Sequence, residues 1–287
     1  MISVVNLGRC EYGTALRLQE HLVELRKENR VSDVLLLVEH PAVITLGRNA
    51  KESNIVAPRE FLARQGVELF EINRGGDVTF HGPGQLVAYP IFDLRGFSPK
   101  LGAVDYVRNL EEVLMRICAH YRIETQRIKG MTGVWTYAEA PLRLLKKHPS
   151  EDDRSGADTS SSLETRNLKL ETFSERKIAA IGVHISRGVT SHGFALNVTT
   201  DLDSFKLIVP CGLTKPVTSI EWEIGLHPAL DQVIPIATRS FGEVFHSQVL
   251  WLESLHDLIP DAPLPEDTPA KAPEELRRLR EEDTYLA

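Results

Sequence analysis

The sequence predicts an α+β protein in which the strands of a sheet arrive in blocks between a few helices. Three observations carry that expectation. Two segments repeat apolar residues at helical spacing, the stretches between them are short β-branched runs closed by glycine or proline, and no apolar run approaches the ~20 residues that cross a bilayer. With 287 residues, 42% of them hydrophobic, the chain has ample material for a core.

"YGTALRLQEHLVELRKEN" places Tyr12, Ala15, Leu16, Leu22 and Val23 on one face and charge on the other, which predicts an amphipathic helix. "VLLLVEH", "AVITLGR", "VELFEI" and "QLVAYPIFDL" follow as strands. "AVDYVRNLEEVLMRICAHY" returns to helical spacing, with Val107, Leu110, Leu114, Ile117, Cys118 and Tyr121 on one stripe; Cys118 reads as core. Then come "IETQRI", "TGVWTY", "KIAAIGVHI" and "GVTSHGFALNV", with Ser186 to Gly188 as a hairpin turn. Residues 138–172 are serine- and acid-rich and read as a mobile insertion within a domain of residues 1–227. Residues 228–258 form a C-terminal helical extension and 259–287 a proline- and charge-rich tail.

The formal net charge of -7 argues against a nucleic-acid surface spread over the molecule, because such binding runs on cationic side chains displacing counterions. Cys10, Cys118 and Cys211 are too far apart and too few for a zinc site or a secreted disulfide scaffold, and the start lacks the basic-then-apolar order of a signal peptide. A cytoplasmic, soluble protein with no metal is the expectation.

"RGGDVTFHGPGQLVAYP", from Arg74, concentrates glycines around an arginine and a histidine without the spacing of a P-loop or a G-x-G-x-x-G turn. Such glycines let backbone amides approach a ligand, or simply make tight turns. His81 suits proton transfer or a packed, hydrogen-bonded place in the turn. Arg74 suits an anionic or carbonyl group, or a surface ion pair. In "LIVPCGL", Cys211 stands between proline and glycine, outside any apolar stripe, as an approachable nucleophile would, or as a structural thiol of the loop. A thiolate needs a partner that lowers its pKa. Lys177 opens an apolar strand, where desolvation lowers a lysine's own pKa and fits it to carry the thiol proton; an exposed strand-end lysine is the plain alternative. His192, with Asn197 nearby as a supporting residue, competes with Lys177 as base.

Taken together, "HPAVITLGR", "RGGDVTFHGPGQLVAYPIFDL", "TGVWTY", "KIAAIGVHISRGVTSHGFALNV" and "FKLIVPCGL" resemble, in order, the blocks of the octanoyltransferase family of lipoate biosynthesis, over most of residues 1–222. The resemblance implies a mixed sheet flanked by helices, the fold shared with the catalytic domains of biotin and lipoate protein ligases. It implies that Cys211 carries an octanoyl thioester and that Lys177 lowers its pKa. Substrate contacts would fall on Arg74, Gly75, Gly76, Asp77, Val78, Thr79, Phe80 and His81, on Ala180, Ile181 and Gly182, and on Gly193, Phe194 and Ala195. The implied donor is octanoyl-acyl carrier protein, bearing its own phosphopantetheine, so the enzyme needs no cofactor. The implied acceptors are lipoyl domains of 2-oxo acid dehydrogenase complexes and the glycine cleavage H protein. A monomer is expected, with local basic patches at Arg9, Arg48 or Lys215 for acidic partners. The rival readings are an ATP-dependent lipoate or biotin ligase on the same fold, a silent binding module for acyl carrier or lipoyl domains, and a cysteine thioesterase.

Overall fold

The chain opens on an apolar run, and in the computed structural model, which describes residues 1–137, 175–209 and 215–259, that run is strand β1 (Ile2–Arg9), with Ile2 to Leu7 buried. Helix α1 (Tyr12–Lys27) follows, then β2 (Asp33–Glu39), β3 (Val43–Leu46), α2 (Arg59–Arg64), β4 (Glu68–Glu71), β5 (Val78–His81), β6 (Gln85–Ile91) and α3 (Ala103–His120). Strands β7 (Thr125–Ile128), β8 (Met131–Thr136), β9 (Arg176–Ser186) and β10 (Val189–Asn197) come next. Helices α4 (Ile220–Ile224) and α5 (Leu230–Val244), strand β11 (Val249–Trp251) and helix α6 (Leu255–Leu258) complete the described chain.

Eight strands form one mixed sheet in the order β11-β1-β2-β6-β10-β9-β8-β7. The β11, β1 and β2 pairings are parallel and the rest antiparallel. Strands β9 and β10 meet at the expected hairpin, where Arg187 (φ 51°) and Gly188 (φ 86°) take the left-handed backbone of a type I′ turn. A second sheet, β4-β3-β5, stands apart with its own small core.

Helices α3 and α5 cover one face of the large sheet and α1 the other. Of the expected α3 stripe, Leu110, Leu114, Ile117 and Cys118 are fully buried, while Val107 and Tyr121 are only partly so. On α1 the buried apolar set is Tyr12, Ala15, Leu18, Leu22, Val23 and Leu25, whereas Leu16 stays partly exposed because the helix turns Leu18 onto the strands instead. Residues 228–258 supply α5, whose Val233, Ala237 and Phe241 enter the main core, and β11, which extends the sheet beside β1. The whole 138–172 segment, and all of the 259–287 tail but Ile259, lie outside the described residues. Among those described, no helix is long and apolar enough to cross a membrane.

Candidate active site

Strand parity decides what the glycine-rich stretch does. Successive β5 side chains point to opposite faces. Val78 and Phe80 enter the small core, where Phe80 meets Phe205 edge to face at 5.6 Å. Thr79 and His81 face a cavity bounded by β9, β10 and Tyr12 of α1.

Arg74 is buried rather than paired at the surface. Its Nη2 donates to Thr45 O at 2.8 Å and Oγ1 at 3.0 Å, and Nη1 donates to Gly75 O at 3.0 Å. The loop itself is tied to β9, since Gly75 N donates to Val183 O at 2.9 Å. Gly182 makes this crossing possible: a Cβ there would lie 2.9 Å from both Arg74 Cδ and Gly75 O. Asp77 holds the loop's other end, accepting from Val78 N at 2.7 Å and Asn54 Nδ2 at 2.5 Å.

His81 stacks on Tyr12, with ring centroids 6.0 Å apart and planes at 11°. Its Nδ1 donates to Gln85 Oε1 at 2.7 Å, a direction fixed because Gln85 Nε2 is itself spent on Asn197 Oδ1 at 2.9 Å. Burial pushes the His81 pKa down to about 3, so the ring is neutral and too weak a base for proton transfer at pH 7. His40 completes this polar wall: Nδ1 donates to Cys10 O and Nε2 accepts from Tyr89 Oη, both at 2.7 Å.

Ala180, Ile181, Gly182, Gly193, Phe194 and Ala195 line the same cavity from the large sheet. The Phe194 ring stacks on Phe241 at 5.8 Å across the sheet, so Phe194 offers the cavity its main chain. At Gly193 a Cβ would fall 2.0 Å from Ala88 O, and only glycine lets β6 and β10 pair there.

Lys177, second residue of β9, lines this cavity and also an outer groove walled by Gly76, Asp77, Val107, Met131 and Val183. Its Nζ lies 5.1 Å from the centroid of the Trp135 ring. Cys211 lies outside the described residues, which resume just beyond it. On one side, Val209 N donates to Asn54 O at 2.7 Å. On the other, Lys177 N donates to Pro216 O and Thr218 N to Lys177 O, both at 2.9 Å. Asn197 joins the same leg, its Nδ2 donating to Thr218 O at 2.9 Å. An unbroken hydrogen-bonded line thus runs from His81 through Gln85 and Asn197 to the strand beside Lys177.

His192 sits elsewhere on β10. It pairs with Val183, six residues and roughly 20 Å of strand from Lys177. Its φ of 56° is stabilised by the backbone N donating to Gln19 Oε1 at 3.0 Å, and Nε2 bonds Asn73 Oδ1 at 2.7 Å, tying β10 to the arginine loop. Burial pushes its pKa to about 3. Arg48 is engaged with Asn73 O and His184, and Lys215 with Glu175, while Arg9 is exposed. Sequence reasoning missed Tyr12, Thr45, Gln85, Tyr89 and Trp135 as members of the site, since only folding brings these segments together.

Comparison with known proteins agrees with this architecture. Residues 11–242 match the lipoyl protein ligase A/B catalytic domain model. An octanoyltransferase of Koribacter versatilis is 56% identical over 287 residues, covering 100% of both chains. One of Acidobacterium capsulatum is 51% identical over 269 residues, covering 91% of this chain and 97% of that one. Among solved structures, a bipartite lipoate protein ligase from Thermoplasma acidophilum superposes with a TM-score of 0.58 at 13% identity, covering 88% of this chain and 86% of that chain. A lipoate-protein ligase A bound with ATP gives 0.56 at 14%, covering 88% and 87%. At such low identities the structures speak for the fold, while the sequence relatives speak for the family. By both the matched domain and the identity over its whole length, the chain belongs to the octanoyltransferase family of acyltransferases.

Proposed function

We propose that this enzyme moves an octanoyl group from acyl carrier protein to a lysine of a lipoyl domain, with Cys211 as the acyl carrier and Lys177 as the proton carrier. The observation behind this reading is the position of Lys177, where the cavity, the outer groove and the chain leg that follows Cys211 meet.

In the first half-reaction the Cys211 thiolate attacks the donor thioester, a new C–S bond forms, and collapse of the tetrahedral intermediate breaks the bond to the phosphopantetheine sulfur. That sulfur leaves with the proton from the Lys177 ammonium. In the second half, the acceptor's ε-amine attacks the acyl-enzyme and gives its proton to Lys177, and Cys211 departs as thiolate, leaving an amide. Backbone amides of the glycine loop would stabilise the oxyanion. Thioester exchange is close to thermoneutral, so this route calls on neither ATP nor a metal. The acyl chain, worth about 0.8 kcal/mol per buried CH₂, would lie between Arg74, His81, Ala180 and Ala195. Lipoyl domains of 2-oxo acid dehydrogenase complexes and the glycine cleavage H protein are the acceptors this reading expects, with the enzyme acting as a monomer in the cytoplasm.

Intact-mass spectrometry after mixing with octanoyl-acyl carrier protein tests the reading. The expected result is a gain of one octanoyl group, absent in Cys211→Ala. No adduct, with transfer requiring ATP, would overturn it in favour of a ligase; binding without turnover would favour a silent module, and release of free octanoate without an acceptor a thioesterase.

A further inference from the structure

Strand β8 supplies the surroundings of Lys177, and the chemistry above leaves it unexplained. Its pairing with β9 shifts register between Val134 and Trp135. At the irregularity Gly133 takes φ +122°, and its N donates to the buried Glu111 Oε1 at 3.4 Å. A Cβ at this position would lie 2.7 Å from Lys177 Cε and 2.6 Å from Ala179 O. The methylenes of Lys177 therefore run through space that any other residue would fill. Two residues on, Trp135 pairs with Lys177 and is only 1% exposed, and its ring, held by Nε1 donating to Met131 O at 3.4 Å, faces Nζ.

An aromatic face attracts an ammonium and has no comparable hold on a neutral amine. We propose that Gly133 and Trp135 are positioning residues for Lys177: the glycine provides the path of its side chain, and the indole favours its charged form. The resting site then presents an ammonium as counter-charge to a thiolate. This opposes the desolvation that the apolar strand suggested, and it rests on Lys177 being the proton carrier.

The other charged groups around Lys177 have partners of their own. Arg176 is paired with Glu223 and Lys215 with Glu175 at the start of β9. From α3, Glu111 is shared by Arg108 and Arg127. Asp77 on the loop before β5 is held by Asn54 and Val78 N, and across the cavity Arg74 is bonded to Thr45, with His81 and His192 neutral.

The test is the pH dependence of Cys211 alkylation, followed on the Cys211 peptide by mass, together with kcat and KM for octanoyl transfer. Cys10 and Cys118 stay protonated over the range, since burial pushes them up to about 11 and about 12. Lys177→Met should raise the apparent pKa of Cys211 most. Trp135→Leu should raise it by about half to one unit, leaving ~3–10-fold less thiolate at pH 7 and a matching loss in kcat with KM little changed. Trp135→Phe, which keeps an aromatic face, should recover most of that loss. Gly133→Ala should lower kcat at least ~10-fold; if its melting temperature shows that it does not fold, the Trp135 pair decides alone. A Trp135→Leu profile that overlays the wild type while Lys177→Met is shifted would overturn the proposal and leave the Lys177 reading standing. An unshifted Lys177→Met profile would sink that reading itself.

Discussion

Phe194 and Ala195 are neighbours on β10, yet they serve two different interiors. On the Phe194 side, α3 and α5 close over a ring cluster in which Phe241 meets Phe92 at 6.2 Å and both Phe194 and Phe245 at 5.8 Å. On the Ala195 side, the same strands face a cavity walled by Tyr12, Arg74, His81 and Tyr89, with His192 at its edge. Both faces are buried, but one is filled with rings that need no partner. The other is built from polar groups bonded through Thr45, Gln85, Asn73 and Cys10 O, with His192 Nδ1 buried and left without a hydrogen-bond partner among the described residues. The contrast teaches that the half of this core proposed to hold substrate differs from the apolar half in what fills it, because a ligand site needs directional groups held in place before the ligand arrives.

Acid should separate the two faces most strongly. The buried histidines His40, His81 and His192 all line or flank the cavity, and burial lowers their pKa values to about 4, 3 and 3. Unfolding restores each to about 6.5, so below that pH the unfolded chain binds more protons and stability falls as pH drops. The stabilising contribution is complete above pH 6.5 and is lost progressively down to about pH 4 for His40 and about pH 3 for His81 and His192, at about 1.4 kcal/mol per unit for each histidine. Urea unfolding at pH 7 and pH 5 should differ by several kcal/mol, and His81→Gln should shrink the difference by about a third. A flat profile between those pH values would remove the claim that this face is a polar interior held neutral.

The apolar face should give the next largest effect, with the opposite signature. Phe241→Ala removes a fully buried ring from the stack and should cost about 3–5 kcal/mol by urea unfolding, with kcat and KM per folded molecule nearly unchanged. A large fall in kcat with little loss of stability would mean that the two interiors are coupled rather than merely adjacent.

How far the sequence reads this division depends on distance along the chain. Helical periodicity found α1 and α3, alternation and glycine punctuation found most strands, and Arg187 with Gly188 made the expected hairpin turn. Strand β5 was missed because it lies inside the glycine cluster that reads as turns, and β11 because three residues carry no resolvable period; β1 was not read as a strand. Within the site, composition pointed to the whole run from Arg74 to His81, yet only strand pairing shows that Val78 and Phe80 face a core and Thr79 and His81 the cavity. Tyr12, His40 and Tyr89 come from three separate elements, so their cluster exists only after folding. Trp135 needed the β8–β9 register shift to be seen beside Lys177.

The smallest expected effect on stability is also the most specific to the cavity. Ala195 sits opposite Ala180 on β9 and Val87 on β6, and its methyl faces the cavity. Ala195→Val adds two methyl groups into that space, so stability should change by no more than about 1 kcal/mol, near the low end of overpacking costs. What should move is the acyl chain that fits. Losing room for two methylenes at about 0.8 kcal/mol each corresponds to a ~10-fold shift in kcat/KM from octanoyl toward hexanoyl donors. The measurement is a competition between hexanoyl- and octanoyl-acyl carrier protein, read by mass on the acyl-enzyme. If Ala195→Val keeps the wild-type ratio, the acyl chain does not run along this row of β10, and the cavity beside Ala195 serves another part of the substrate.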